Sequence, residues 1–196
     1  MVVPGTDVKS IVETFETHFG KVKSQTIPCD SSIQLEDVSQ PLSQVDAGWY
    51  RSVVGSCLYL GRDRPDLVFT IKELASRMAK PTLNALQHLR KMVGYLRTTG
   101  ELGISLHAPV AGQGKWKSCV DKFWILETYS DADWASNKGH RKSTSCSIHF
   151  LTGSYVFGAA RTQRVIALSS CESELHSIVS GMCDAIYIRR VLEFML

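Results

Sequence analysis

The chain has 196 residues and 44% hydrophobic content, enough for one large domain or two small ones with a real core. Its 22 basic and 19 acidic side chains give a formal charge of +3, which permits contact with nucleic acid without demanding it. The six cysteines show no C-x-x-C pair or zinc-finger spacing, Met1 to Lys9 lacks the apolar core of a leader, and no apolar run reaches the ~18 residues of a membrane span, so reduced thiols in an intracellular protein, with no membrane, are expected.

Ile11, Phe15 and Phe19 recur every four residues between Asp7, a candidate N-cap, and Gly20, a stop, and so predict a short amphipathic helix. From Lys21 to Ala47 the periodicity vanishes; Pro28, Pro41 and many Ser, Asp and Gln residues predict a surface linker. A second helix is expected from about Ala47 to Leu60, with Tyr50, Val53, Val54, Cys57 and Leu58 inward. Pro65 suits the first turn of a third, whose Leu67, Ile71, Leu74, Ala75 and Met78 fit a 3.6 period.

A fourth helix from Thr82 to Thr98 carries Leu86, Leu89, Val93 and Leu96, and Gly100 ends it. Lys72, Arg77, Arg90, Lys91 and Arg97 on these two helices form either a solvated basic face or a track for phosphates. Leu102, Ile104 and Leu106 alternate as a strand, and Gly, Ala and Pro residues then mark a loop.

Beyond that loop the period changes to two. Phe123 to Ser130 is a β-branched and aromatic run; Thr144, Cys146, Ile148 and Phe150 alternate with Ser143, Ser145, Ser147 and His149. Thr152-Gly153-Ser154 predicts a hairpin turn into a strand from Tyr155 to Ala160. A closing helix starts at Ser169 or Ser170 with Cys171, Leu175, Ile178, Val179, Met182 and Ile186 on one stripe, and Ser169-x-x-Glu172 has the form of a capping box. The helical pattern is still running at Leu196 without a stop signal, as in a helix cut short.

Three stretches carry chemistry: Tyr129-Ser130-Asp131-Ala132-Asp133-Trp134-Ala135, Arg141-Lys142-Ser143-Thr144-Ser145, and Ala167-Leu168-Ser169-Ser170-Cys171-Glu172-Ser173-Glu174. A carboxylate leaving a strand and another in the first turns of a later helix suit magnesium, because hard cations take oxygen ligands. Glu172 and Glu174 lie about 200° apart around a helix and cannot both face Asp131. Asp133, two residues on from Asp131, points the same way along a strand and is a candidate outer ligand. Trp134 is expected in the core, and Arg141 and Lys142, just before a strand, are candidates for phosphate contact. Ser170 and His176, six apart on one helix, fall on different faces and offer no nucleophile elbow.

These stretches closely resemble the ribonuclease H domain of copia-type retrotransposon Pol polyproteins. Upstream, Tyr50-Arg51-Ser52-Val53-Val54-Gly55-Ser56-Cys57-Leu58-Tyr59-Leu60 and Arg64-Pro65-Asp66-Leu67 are similar to the segment joining reverse transcriptase to that domain. The resemblance implies an α+β chain: a helical connection over residues 1–106, a linker over 107–122, and over 123–196 the start of a ribonuclease H-like fold, three antiparallel strands then a helix. It places the catalytic carboxylates, both Mg2+ ligands, on Asp131 and Glu174. It implies hydrolysis of the RNA strand of an RNA–DNA hybrid by two metal ions, and the rest of the polyprotein as partner, in a cytoplasmic virus-like particle or the nucleus.

The same resemblance calls for a third aspartate on the next strand and a fourth acid later, whereas only Asp184 and Glu193 follow Glu174. Asp184 lies about 15 Å further along the helix, too far to share an ion. The site is therefore expected to be half built and inactive alone, with the edge of its first strand open to association. Polymerase aspartates would lie before Met1. A nucleic-acid-binding or structural remnant is the competing expectation.

Overall fold

A computed structural model describes residues 8–106 and 125–195. In chain order they form α1 (Val8–Phe19), a 3-10 turn (Ser31–Gln34), α2 (Gln44–Leu60), a second 3-10 turn (Pro65–Leu67) running into α3 (Val68–Ser76), α4 (Leu83–Thr98), β1 (Leu126–Asp133), β2 (Thr144–Leu151), β3 (Ser154–Thr162) and α5 (Ser170–Met195). The α+β class and the order of helices, antiparallel hairpins and closing helix match the expectation. Asp7 and the 107–122 linker fall outside the described residues.

Local chemistry explains the boundaries. The hydroxyls of Ser43 and Thr82 accept from the N–H groups of Asp46 and Ala85 and cap α2 and α4. Gly20 ends α1 at φ 79°, a conformation only glycine adopts freely. Antiparallel β2 and β3 join through Thr152 and Gly153, both at positive φ, the signature of a tight two-residue hairpin. Leu102 to Leu106, expected as a strand, joins none of the three strands, and Leu102 and Leu106 are exposed. Within it only Ile104 forms a β-bridge, so the alternation yields a single bridge rather than a strand.

The apolar core belongs to the helices. Phe15, Tyr50, Val54, Leu60, Leu67, Leu74, Leu89, Met92 and Leu96 are fully buried in one cluster. Leu58, expected inward, is exposed. The segment expected to be a surface linker is a strap docked on this cluster. Val22 and Ile33 are buried, Gln25 N–H donates to Gly94 O at 3.2 Å, and the strap meets α4 again where Leu83 N–H donates to Gln40 O at 2.9 Å.

The strand half has a different interior. The sheet order is β1-β2-β3, with Asp131 opposite Cys146 and Asp133 opposite Thr144. Helix α5 lies on β1 and β2 and meets them through Ser173, Ser177 and Gly181, the three residues that it buries. Their small size brings the helix close: a Cβ on Gly181 would touch Ser130, Thr128 and Ser147. The apolar stripe of α5 is turned to solvent, with Leu175, Ile178, Val179, Met182 and Ile186 all exposed.

Two buried histidines make this architecture acid-sensitive. Burial lowers the pKa of both His88 and His149; Arg77 lowers His88 further, while at His149 the neighbouring Asp184 opposes the shift and Arg161 adds to it. Both ring nitrogens of His88 and Nε2 of His149 are buried without a hydrogen bond. A depressed folded pKa means that the unfolded chain binds protons first. The full contribution is present above the unfolded value, about 6.5, and is lost as pH falls through the folded values. The melting temperature is expected to drop between pH 7 and pH 5, and less steeply in His88→Leu, read by circular dichroism. An unchanged slope in that variant would rule out His88.

Candidate functional site

Asp131 and Asp133 sit at the C-terminal end of β1, both exposed. Because strand side chains alternate and Thr128 and Ser130 point at α5, these two carboxylates project from the opposite face, toward the helical half. Asp133 Oδ2 there accepts from Gln34 Nε2 at 2.6 Å. Next to them Lys72 donates to Thr144 Oγ1 at 3.0 Å and to the buried Glu73 at 2.6 Å, so its charge is already engaged. Cys146 lies among these groups: burial raises its thiol pKa, Lys72 opposes the shift, and Asp131 and Asp133 add to it.

Glu174 stands on α5, half-buried, on the flank of the stripe that meets the sheet. One turn on, the Ser177 hydroxyl donates to the Asp131 backbone carbonyl at 2.6 Å, so Glu174 and Asp131 occupy the same end of the sheet. The Asp131 carboxylate leaves the sheet on the face away from α5, and neither carboxylate makes a hydrogen bond or ion pair among the described residues. Glu172 is occupied as its spacing suggests. Its N–H donates to Ser169 Oγ at 3.1 Å, and its carboxylate accepts from the Leu168 N–H at 2.7 Å.

The basic residues divide in two. Arg77 donates to Ile33 O, Arg90 to Phe19 O at 2.6 Å, Lys91 to Asp30, and Arg97 to Val22 O and Glu16 Oε1, both at 3.0 Å. Together they tie α1 and the strap to α3 and α4, and Lys91 holds the Asp30 carboxyl down to about 2. With Lys72, five of the seven candidate cations have their charge or donors engaged within the chain. Arg141 and Lys142 differ. They leave the turn between β1 and β2, Arg141 at φ 57°, and their side chains have no partner among the described residues. Trp134, expected in the core, is 46% exposed and is held by Nε1 donating to Ala167 O at 3.1 Å.

The residues that sequence reasoning missed lie under α5. Arg161 forks onto Asp184 at 2.6 and 3.0 Å, Ser147 donates to Asp184 Oδ2 at 3.1 Å, and His149 Nδ1 shares a hydrogen bond with Thr128 at 2.9 Å. Gln163 Nε2 donates to Ser145 Oγ and Ser173 O, both at 2.9 Å. The available signal was the Ser-x-x-x-Ser-x-x-x-Gly spacing at 173, 177 and 181, a small-residue face along a helix.

Among the described residues no three His, Cys, Asp or Glu side chains are grouped to hold a metal ion, and no helix is long and apolar enough to cross a membrane. No protein-family model matches the chain, and no solved structure does. Three curated proteins are similar. The retrovirus-related Pol polyprotein from transposon RE1 of Arabidopsis thaliana is 32% identical over 73% of this chain and 9% of its own length. The corresponding RE2 polyprotein of the same plant is 31% identical over 73% of this chain and 9% of its own length. Secreted RxLR effector protein 161 of Plasmopara viticola is 32% identical over 71% of this chain and 90% of its own length.

Proposed function

The chain belongs to the retrovirus-related Pol polyproteins of transposons, and on that premise we propose that it is the piece in which the reverse-transcriptase connection meets the start of a ribonuclease H unit. It spans about a tenth of the length of the polyproteins it matches, so the activity of the whole is part of this proposal. The parent would hydrolyse the RNA strand of RNA–DNA hybrids during reverse transcription, with magnesium supplying the chemistry at a carboxylate set that includes Asp131 and Glu174. The observation that carries the reading is the meeting of α5 with β1 at Asp131: a strand ends in one candidate carboxylate, and the first turns of a helix bring another to the same end.

The residues present do not by themselves fit two magnesium ions. Asp131 leaves the sheet on the face away from α5, and no group of three His, Cys, Asp or Glu side chains forms among the described residues. This favours a second reading for the chain on its own, a catalytically inert piece that binds nucleic acid or serves as structure. Arg141 and Lys142 are the cations it leaves free for a phosphate backbone, while the α3 and α4 cations are engaged within the chain.

The test is cleavage of a labelled RNA–DNA hybrid by the chain in magnesium and in manganese, with Asp131→Asn alongside and hybrid binding measured in parallel. No cleavage is expected, and binding is expected to weaken in Arg141→Ala/Lys142→Ala. Cleavage abolished by Asp131→Asn would show that the site is completed and would discard the inert reading. Absence of both cleavage and binding would leave only a structural role.

A further inference from the structure

Asp133 ends β1 and Thr144 opens β2, and the turn between them, residues 134–143, carries Arg141, exposed, and Lys142, half-buried. A loop of that length keeps many conformations unless something outside it takes hold. Its own bonds shape it locally: the Asn137 side chain accepts from the N–H groups of Gly139 and His140 at 3.0 and 3.2 Å, and Arg141 N–H donates to Asn137 O at 2.8 Å. Among the described residues, a single hydrogen bond ties the tip, residues 136–142, to a distant part of the sequence. Lys138 N–H donates to Gln34 O at 3.4 Å. The same residue also holds the root of the turn, because Gln34 Nε2 donates to Asp133 Oδ2 at 2.6 Å in a charge-assisted bond. The backbone bond is long, which leaves the Gln34 side chain as the stronger of the two holds.

Gln34 is itself held from behind. It closes the 3-10 turn Ser31–Gln34, whose cap Asp30 accepts from Ser32 N–H at 3.2 Å and is gripped by Lys91 of α4. Ile33 beside it is fully buried, and the Ile33 carbonyl accepts from Arg77 at the end of α3. Gln34 therefore stands on a platform fixed to the helical half and reaches across to the strand half. We infer that Gln34 is a positioning residue for the nucleic-acid contact. It braces the β1–β2 turn so that Arg141 and Lys142 meet a phosphate backbone already arranged, and Arg77 and Lys91 serve that contact through it rather than by touching phosphate. The inference rests on the reading of this turn as a phosphate contact. Its physical basis is the ordering that a loose loop must undergo on binding, which a brace completes beforehand.

The test uses the full chain without divalent metal, so that any role of Asp133 as a metal ligand does not enter. Gln34→Ala is expected to raise amide hydrogen exchange across residues 136–142 and to weaken binding of an RNA–DNA hybrid about fivefold. The slope of log affinity against log salt is expected to stay the same, because both cations still reach phosphate. Arg141→Ala/Lys142→Ala removes the contacts themselves and is expected to flatten that slope by about two. Gln34→Glu sets two carboxylates against each other and should loosen the turn more than Gln34→Ala does. Gln34→Glu/Asp133→Asn again faces a donor with an acceptor at unchanged net charge, and should return both exchange and affinity toward wild type. Unchanged exchange across 136–142 in Gln34→Glu, hybrid bound equally well by that variant and wild type, or an exchanged pair that stays as loose as Gln34→Glu would each overturn the proposal. A wild-type chain that binds no hybrid would instead overturn the reading of the turn on which it rests.

Discussion

Arg64→Ala is expected to destabilise the chain by about 3 kcal/mol, the largest loss from any single side chain outside the apolar cluster. The guanidinium is 2% exposed and none of its nitrogens lacks a partner. Nε and Nη2 fork onto Asp66 at 2.9 and 2.7 Å, Nη1 donates to Thr99 O at 2.9 Å, and Nη2 also reaches Thr99 Oγ1 at 2.9 Å. Tyr95 completes the group: its hydroxyl donates to Asp66 Oδ2 at 2.8 Å, and its ring lies 5.7 Å from the Arg64 guanidinium carbon.

Truncation would strand a carboxylate and a carbonyl that close the end of α4 onto the start of α3. The figure sits at the low end for a broken buried pair because the Asp66 side chain keeps 34% exposure. Arg64→Lys should recover only part of the loss, since an ammonium cannot make the planar fork and reach Thr99 as well. Burial pushes the Asp66 carboxyl up, but Arg64 and Tyr95 outweigh it and hold it below its ordinary value. That contribution is complete above the unfolded carboxylate pKa and is lost as pH falls through the lower folded one. Urea unfolding of wild type and variant should therefore converge in acid; a constant gap at all pH values would place the loss in packing rather than in the ion pair.

This clamp explains the Arg64-Pro65-Asp66-Leu67 stretch, whose proline and leucine were readable as a helix start while the work of its two charged residues was not. Proline opens the 3-10 turn, the two charged residues lock it to Thr99, and Leu67 enters the core. Elements set by local periodicity were legible in the same way. The four helices of the first half and the β2–β3 hairpin all fall within a few residues of where spacing, caps and turn residues put them.

What was not legible is which stripe or which charge faces what. A basic helix looks the same whether Arg90 and Arg97 meet phosphates or the carbonyls of Phe19 and Val22, because both offer acceptor oxygens. On α5 the 3.6 period located the apolar stripe correctly, yet periodicity does not say which side meets the sheet. There the close approach allowed by Ser173, Ser177 and Gly181 decided. At the candidate site, the residue types and their order were readable, but the face from which each carboxylate leaves depended on the pleat of β1.

The strap depends on an absent side chain, and this gives the sharpest contrast between two identical substitutions. Gly94 and Gly55 both lie inside helices, α4 and α2, where glycine to alanine ordinarily stabilises by about 1 kcal/mol. A Cβ on Gly55 would meet nothing within 4 Å, so Gly55→Ala is expected to gain that amount. A Cβ on Gly94 would lie 2.3 Å from Lys23 O and 2.9 Å from Gln25 Cγ. The first obstacle is backbone, pinned by the Gln25 N–H donating to Gly94 O, and Arg97 holds the same stretch through Val22 O. It cannot move aside without giving up those bonds. Overpacking of this kind costs about 1–3 kcal/mol, more when hydrogen bonds go with it, so the propensity gain is outweighed and Gly94→Ala is expected to be net destabilising. The strain is relieved most cheaply by lifting the strap rather than unfolding the core. Trypsin should then cut after Lys21 and Lys23 faster in Gly94→Ala than in wild type, while Gly55→Ala cuts no faster and unfolds at higher urea. Equal protection of the strap in both variants would mean that Gly94 does not seat it.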